Sequence, residues 1–189
     1  MRLLRPCGAA ASVITLAVFA ACGSSTGLPA AVFDNVVDTM SLYALDGTPL
    51  TAPSAYDIKA NPPVALRADA ITDYDFVFNI DTAGHALLLP TGAIGLGKAS
   101  GIRLEATSFN AITTAATSGY QDSTAVQIDS GSVLVLRSRP TQCSFGAVVY
   151  MYAKLEVLKV DRVARRMDFQ VLADGNCGYR SLQPGVPKQ

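Results

Sequence analysis

The chain has 189 residues, half of them hydrophobic, with 15 basic and 15 acidic side chains, one histidine and no tryptophan. That length builds one domain with a sizeable core. Without residues 1–21, which carry Arg2 and Arg5, 13 basic residues face 15 acidic ones, a slightly acidic balance that argues against a nucleic-acid partner, which calls for a basic face.

Arg2 and Arg5 precede an apolar stretch from Ala9 to Ala21 that only Ser12 and Thr15 interrupt. A charged start followed by an apolar run too short to cross a bilayer is the layout of a secretory signal. The run ends in Phe19-Ala20-Ala21-Cys22, which resembles the lipobox of bacterial lipoproteins, with Phe19 where leucine is usual. The resemblance implies that residues 1–21 are removed and that Cys22 is acylated. The protein would then be exported and lipid-anchored in the cell envelope, at the outer membrane in a Gram-negative cell. Each acyl CH₂ adds about 0.8 kcal/mol of membrane affinity, so several chains would give persistent anchoring. A plain secretory signal with a small-residue cleavage site is the alternative.

Residues 22–31 read as the lipidated cysteine and a flexible tether, small and rich in Gly, Ser and Ala. A single β-domain is expected over 32–183, followed by a C-terminal tail over 184–189. Short β-type runs punctuated by Gly, Pro, Asn and Asp predict strands at Val37 to Leu45, Phe76 to Ile80, His85 to Leu89, Ile102 to Ala106 and Ala125 to Ile128. Further strands are expected at Val133 to Arg139, Gly146 to Val160 and Arg166 to Ala173. Phe76 to Leu89 reads as a hairpin turning at Asp81-Thr82-Ala83-Gly84. The Ala- and Thr-rich stretch from Ser108 to Ser118 has room for a short helical turn.

Within Gly146 to Val160, Val149, Met151, Ala153, Leu155 and Val157 alternate with Tyr150, Tyr152, Lys154 and Glu156, which predicts one long strand with one buried side. Met167, Phe169 and Val171 continue the scheme in an antiparallel partner. The fold class is therefore all-β, a single antiparallel β-sandwich or distorted barrel.

Cys7 leaves with the leader and Cys22 is claimed by lipid, so Cys143 and Cys177 are the thiols left to the domain. In an oxidising compartment they are expected to pair. They flank the predicted C-terminal hairpin, whose two ends are neighbours in space. No C-x-x-C or H-x-x-x-H spacing suggests a metal.

Gly92 to Gly97 followed by Lys98 matches most of the phosphate-cradling pattern, but Ala99 stands where a hydroxyl must hold Mg²⁺, so a glycine-rich loop is expected. Asp81-Thr82-Ala83-Gly84 carries an alanine that an aspartic protease turn lacks, and it has no second copy. His85, as the only histidine, is the required base for a histidine-dependent hydrolase, yet no G-x-S-x-G elbow accompanies it. Tyr43, Tyr56, Tyr74, Tyr120, Tyr150, Tyr152 and Tyr179 could line a pocket, although most are expected at the rim of the core with hydroxyls in water. Met40, Met151 and Met167 are expected to pack inside.

Tyr74-Asp75-Phe76-Val77-Phe78, Ser108-Phe109-Asn110-Ala111-Ile112, Gly119-Tyr120-Gln121-Asp122, Gly131 to Arg137 and Tyr152-Ala153-Lys154-Leu155-Glu156-Val157 together resemble the HmuY-like family of exported heme-binding lipoproteins over roughly residues 70–160. The resemblance implies an all-β fold and, as a possible cofactor, heme. Family members pair axial ligands, often two histidines, whereas this chain has one; His85 and Met151 are the residues that chemistry offers as ligands. The leading expectation is a membrane-anchored lipoprotein whose β-domain is not an enzyme and serves a binding or envelope-structural role. Heme or small-ligand binding is the alternative, and a His85-dependent hydrolase comes third.

Overall fold

The computed structural model describes residues 28–187 apart from positions 61, 144 and 145. The leader 1–21 and Cys22 lie outside the described residues. Twelve strands run in chain order: β1 Val37–Tyr43, β2 Ala55–Asp57, β3 Val64–Leu66, β4 Phe76–Ile80, β5 Ala86–Pro90, β6 Gly101–Glu105, β7 Val126–Ile128, β8 Val133–Arg137, β9 Thr141–Gln142, β10 Val148–Val149, β11 Tyr152–Asp161 and β12 Arg166–Asp174. All pairings are antiparallel. One sheet has the order β1-β12-β11-β8-β6, the second β3-β2-β4-β5-β7, and β9-β10 forms a small hairpin of its own. The two large sheets face each other without closing into a barrel, so of the two expected architectures the sandwich is the one found.

Alternation explains the layering. Leu134, Leu136, Leu155, Val157, Met167, Phe169 and Val171 project inward from the first sheet, and Tyr56, Phe76, Phe78, Ile80 and Leu88 from the second, making one continuous core. The expected hairpins form, with Phe78 opposite Leu88 across β4 and β5 and Leu155 opposite Val171 across β11 and β12. Gly84 supplies a positive φ of 87° at the first tip, and Arg165 takes φ 51° at the second. The helical turn expected after Ser108 is a 3₁₀ turn at Phe109–Ala111.

Three readings need correction. Gly146 to Val160 is not one strand: between β10 and β11 the chain leaves the pleat at Tyr150 and Met151, where the Met151 N–H donates to Ser138 Oγ at 2.9 Å. Nor does β11 have a single buried side. Tyr152 and Lys154, on its outward face, are covered by a second core in which Phe109, Ile112, Ala115 and Leu182 pack on Val133, Val135 and Leu172. Four tyrosines expected at the rim, Tyr56, Tyr74, Tyr152 and Tyr179, are buried. Near the two ends of the described chain, Asn35 and Gly185 exchange backbone hydrogen bonds of 3.0 Å.

Candidate functional site

The Asp81 to Gly84 turn holds its own aspartate. Asp81 Oδ1 accepts the N–H groups of Ala83 at 2.9 Å and His85 at 2.8 Å, while Oδ2 lies 2.9 Å from His85 Nδ1. These bonds from His85 hold the Asp81 carboxyl below its ordinary range. The pair sits in solvent, with the His85 side chain 52 % exposed, and no hydroxyl or thiol bonds to the ring among the described residues. His85 does not meet Met151. Arg162 Nε donates to the Gly84 carbonyl at 3.1 Å, which places the His85 tip beside the β11–β12 turn. Met151 precedes the opposite end of β11, a strand of 10 residues that spans about 30 Å. The two side chains expected to share a ligand therefore stand at opposite ends of the sandwich.

The glycine-rich loop is stapled to itself. Thr91 Oγ1 donates to the Gly97 carbonyl at 2.8 Å and accepts the N–H groups of Ala99 and Ser100 at 3.2 and 3.1 Å, so these donors are spent inside the loop instead of facing a phosphate. Gly92 is needed because a Cβ there would collide with the backbone carbonyl of Asp122.

Cys143 and Cys177 form a disulfide with Cα atoms 6.0 Å apart. Asn176, next to Cys177, clamps the entering chain: its Oδ1 accepts the N–H groups of Val32 and Phe33 at 2.8 and 3.0 Å, and its Nδ2 donates to the Phe33 carbonyl at 2.8 Å. The disulfide, the clamp and the end of β12 thus define one end of the molecule, opposite His85.

The same end carries a constellation that the sequence reading did not assemble. Gly101, Arg137, Tyr152 and Asp174 lie side by side across β6, β8, β11 and β12. Arg137 ends the apolar run of β8 and turns its guanidinium outward, between the ring of Tyr120 at 5.1 Å and that of Tyr150 at 4.6 Å. Tyr120 in turn packs on Tyr152 with ring centroids 6.2 Å apart, and its hydroxyl donates to the Ala116 carbonyl at 2.9 Å. Gly101 makes room for this stack, since a Cβ there would stand 2.7 Å from Tyr120 Cβ. The break in the strand at Tyr150 is what frees its ring to swing over Arg137.

Arg103 and Arg180 flank the stack, but both are engaged. Arg103 pairs with Glu105 at 2.9 Å, and Arg180 Nε donates to the Ala115 carbonyl at 2.9 Å. Arg137 has no acceptor among the described residues, and its Nε is buried without a partner. Burial raises the phenols of Tyr120 and Tyr152, and the neighbouring guanidinium charges oppose that rise. A planar cation bracketed by aromatic faces, with its donors uncommitted, suits a carboxylate or phosphate, which a guanidinium can grip with two parallel hydrogen bonds.

Two other buried charges are structural. Lys154 is 2 % exposed and its Nζ donates to the carbonyls of Phe109 at 2.9 Å and Ile112 at 3.0 Å, capping the 3₁₀ turn while lying 4.4 Å from the Phe109 ring centroid. Burial lowers its pKa. Asp75, of the Tyr74-Asp75-Phe76 phrase, accepts the Arg139 N–H at 2.6 Å, Arg139 Nε at 3.1 Å and the Ile58 N–H at 2.7 Å, and so latches the second sheet to the segment after β8. Burial pushes its carboxyl up to about 6 against the pull of those donors. Among the described residues no three His, Cys, Asp or Glu side chains converge to hold a metal ion.

Comparison with family models and with curated proteins returns no match for this chain.

Proposed function

We propose that this chain is an exported lipoprotein, anchored through acylated Cys22, whose β-sandwich binds an anionic ligand at Arg137 and is not an enzyme. The binding part rests on one observation: the Arg137 guanidinium is held between Tyr120 and Tyr150 with no anion or carbonyl assigned to it among the described residues. An acidic ligand reaching the stack would pair with the terminal nitrogens of this guanidinium, and a hydrogen bond to a charged group contributes about 1.5–3 kcal/mol.

Export is supported by the Cys143–Cys177 bridge, because disulfides persist in oxidising compartments. The anchor also bears on the site. Asp174, which accepts from the Asn176 clamp, lies two strands from Arg137 in the same row, a separation of about 10 Å. The stack therefore stands at the tethered end of the domain, and the segment from Cys22 to Leu28 reaches at most about 20 Å.

Titration calorimetry of the purified protein with inorganic phosphate and with acetate tests the reading. Saturable binding lost in Arg137→Gln and not restored by Arg137→Lys is expected, since lysine offers no planar fork. Equal heats from the native protein and Arg137→Gln would refute it.

A further inference from the structure

A second place in the fold lacks partners of its own, and its chemistry is the reverse of the Arg137 stack. At the edge where β1 and β12 of one sheet meet β2 of the other, a cleft of about 140 Å³ opens between the layers. Its walls are apolar, made by Phe33, Pro62, Pro63 and Val171. Its floor is Tyr56. This tyrosine is only 2 % exposed, with its ring fixed against Phe76 at 5.4 Å and edge-on to Phe169 at 5.8 Å. No hydrogen bond ties its hydroxyl to any described residue. Burial is the main cause that raises the Tyr56 phenol, and the Asp38 charge adds to it, which puts that carboxylate within electrostatic reach of the hydroxyl.

Asp34 and Asp38 line the same cleft. Strand alternation explains why: Asp38 pairs with inward-facing Val171, so it lies on the inner face of β1, but near the start of this edge strand, where the sandwich opens and the side chain stays solvent-exposed. Neither carboxylate has a hydrogen bond or a basic partner among the described residues. Two exposed carboxylates at the mouth and a hydroxyl without a hydrogen-bond partner at the floor of an apolar hollow together offer a place for a cation with an apolar stem.

We propose that this cleft binds a primary alkylammonium group. The ammonium donates to the Tyr56 hydroxyl oxygen and to Asp38, with Asp34 as further counter-charge at the mouth, and the alkyl stem lies against the proline and phenylalanine walls. Size narrows the class. Taking about 30 Å³ per water-sized group, the cleft of about 140 Å³ holds four or five heavy atoms, the length of a butylammonium or the end of a lysine side chain. It is far smaller than the roughly 300–1,000 Å³ pockets that enclose cofactor-sized ligands. A hard cation such as Ca²⁺ calls for six to eight oxygens, which these walls do not supply. The inference does not depend on the anchor or on the Arg137 stack.

Calorimetry and thermal melting of the full chain with n-butylammonium chloride test it, with n-butanol as the uncharged equivalent and potassium chloride as the salt control. Saturable butylammonium binding is expected, with n-butanol at least about tenfold weaker, because a hydrogen bond to a charged group contributes about 1.5–3 kcal/mol. Asp38→Asn should weaken butylammonium binding about tenfold or more while leaving the melting temperature without ligand within a few degrees, since Asp38 is solvent-exposed. Tyr56→Phe should weaken it as well. Three results would overturn the proposal: no saturable binding at 10-fold molar excess and above, up to about 10 mM; equal binding of n-butanol and butylammonium, which would make the cleft merely apolar; or undiminished binding by Asp38→Asn. In the last case Asp38 would serve only as an inward charge that guards an edge strand.

Discussion

Removing the Cys143–Cys177 bridge should lower the stability of the domain while leaving its fold in place. The bridge closes a loop with a sequence separation of 34, and the chain-entropy relation for that length gives about 3.8 kcal/mol at 25 °C. The bridged ends are also held by native contacts. Cys143 closes the turn of the β9–β10 hairpin by accepting the Gly146 N–H at 2.9 Å, and Asn176 clamps Val32 and Phe33 beside Cys177. These contacts keep the reduced form native-like, so the loss should fall on stability while the fold survives. Urea unfolding of Cys143→Ser/Cys177→Ser against the oxidised protein should show a decrease of about 3–4 kcal/mol, with far-ultraviolet circular dichroism unchanged before the transition. Thiol titration of the unfolded, unreduced domain should find neither cysteine free. A loss below about 1 kcal/mol, or a Cys177 that titrates as a free thiol in the unsubstituted, unreduced protein, would refute the argument.

Other substitutions probe the buried charges and the loops. Asp75, with its carboxyl near 6 in the fold and near 3.9 unfolded, binds its proton more tightly when folded. Its contribution to stability is therefore present below pH 4 and falls away as the pH rises through 6, by up to about 3 kcal/mol. Urea midpoints from pH 3.5 to 7 should show that descent in the native protein and a flatter profile in Asp75→Asn; parallel profiles would count against it. Lys154→Met keeps the stem but strands the carbonyls of Phe109 and Ile112, which should cost about 1–3 kcal/mol. Lys154→Ala should cost more, since packing in the second core is lost as well, and a stabilising Lys154→Met would show that the cap is dispensable. Gly92→Ala forces a Cβ against the Asp122 carbonyl and should destabilise by about 1–3 kcal/mol. Gly95→Ala, with φ 81° but open space around it, should cost only the strain of the left-handed conformation, about 1 kcal/mol. Thermal melts rank the two.

Much of the first sheet was legible because its periodicity is strict. Ala153, Leu155 and Val157 against Met167, Phe169 and Val171 predict the β11–β12 hairpin, and with it the meeting of Cys143 and Cys177. The β4–β5 hairpin was legible from Gly84 and the runs on either side. What escaped depends on contacts distant in sequence. Strands β2 and β3 have 3 residues each and carry no periodicity; the sheet recruits them when Phe78 N–H donates to the Ser54 carbonyl at 2.8 Å and Tyr56 fills the core. Lys154 reads as a solvent-facing residue of an alternating strand until the segment from Phe109 to Ala115 folds over it. Arg137 offered one signal: it ends the otherwise apolar run Val133-Leu134-Val135-Leu136. Its tyrosine partners come from separate loops, which no local pattern joins. Asp38 shows the same limit, since a charge on an inward position of an edge strand becomes visible only once the register with Val171 is known.

The central claim, an exported domain held to a membrane by its first mature residue, is tested most directly by intact-mass and N-terminal peptide spectrometry of the protein from the membrane fraction of a bacterial host. The account predicts a chain that begins at Cys22 with diacylglycerol on the thiol, and a Cys22→Ala variant that leaves the membrane fraction. A chain that keeps Met1, or one that begins at an unmodified residue and is recovered free of membranes, would contradict it.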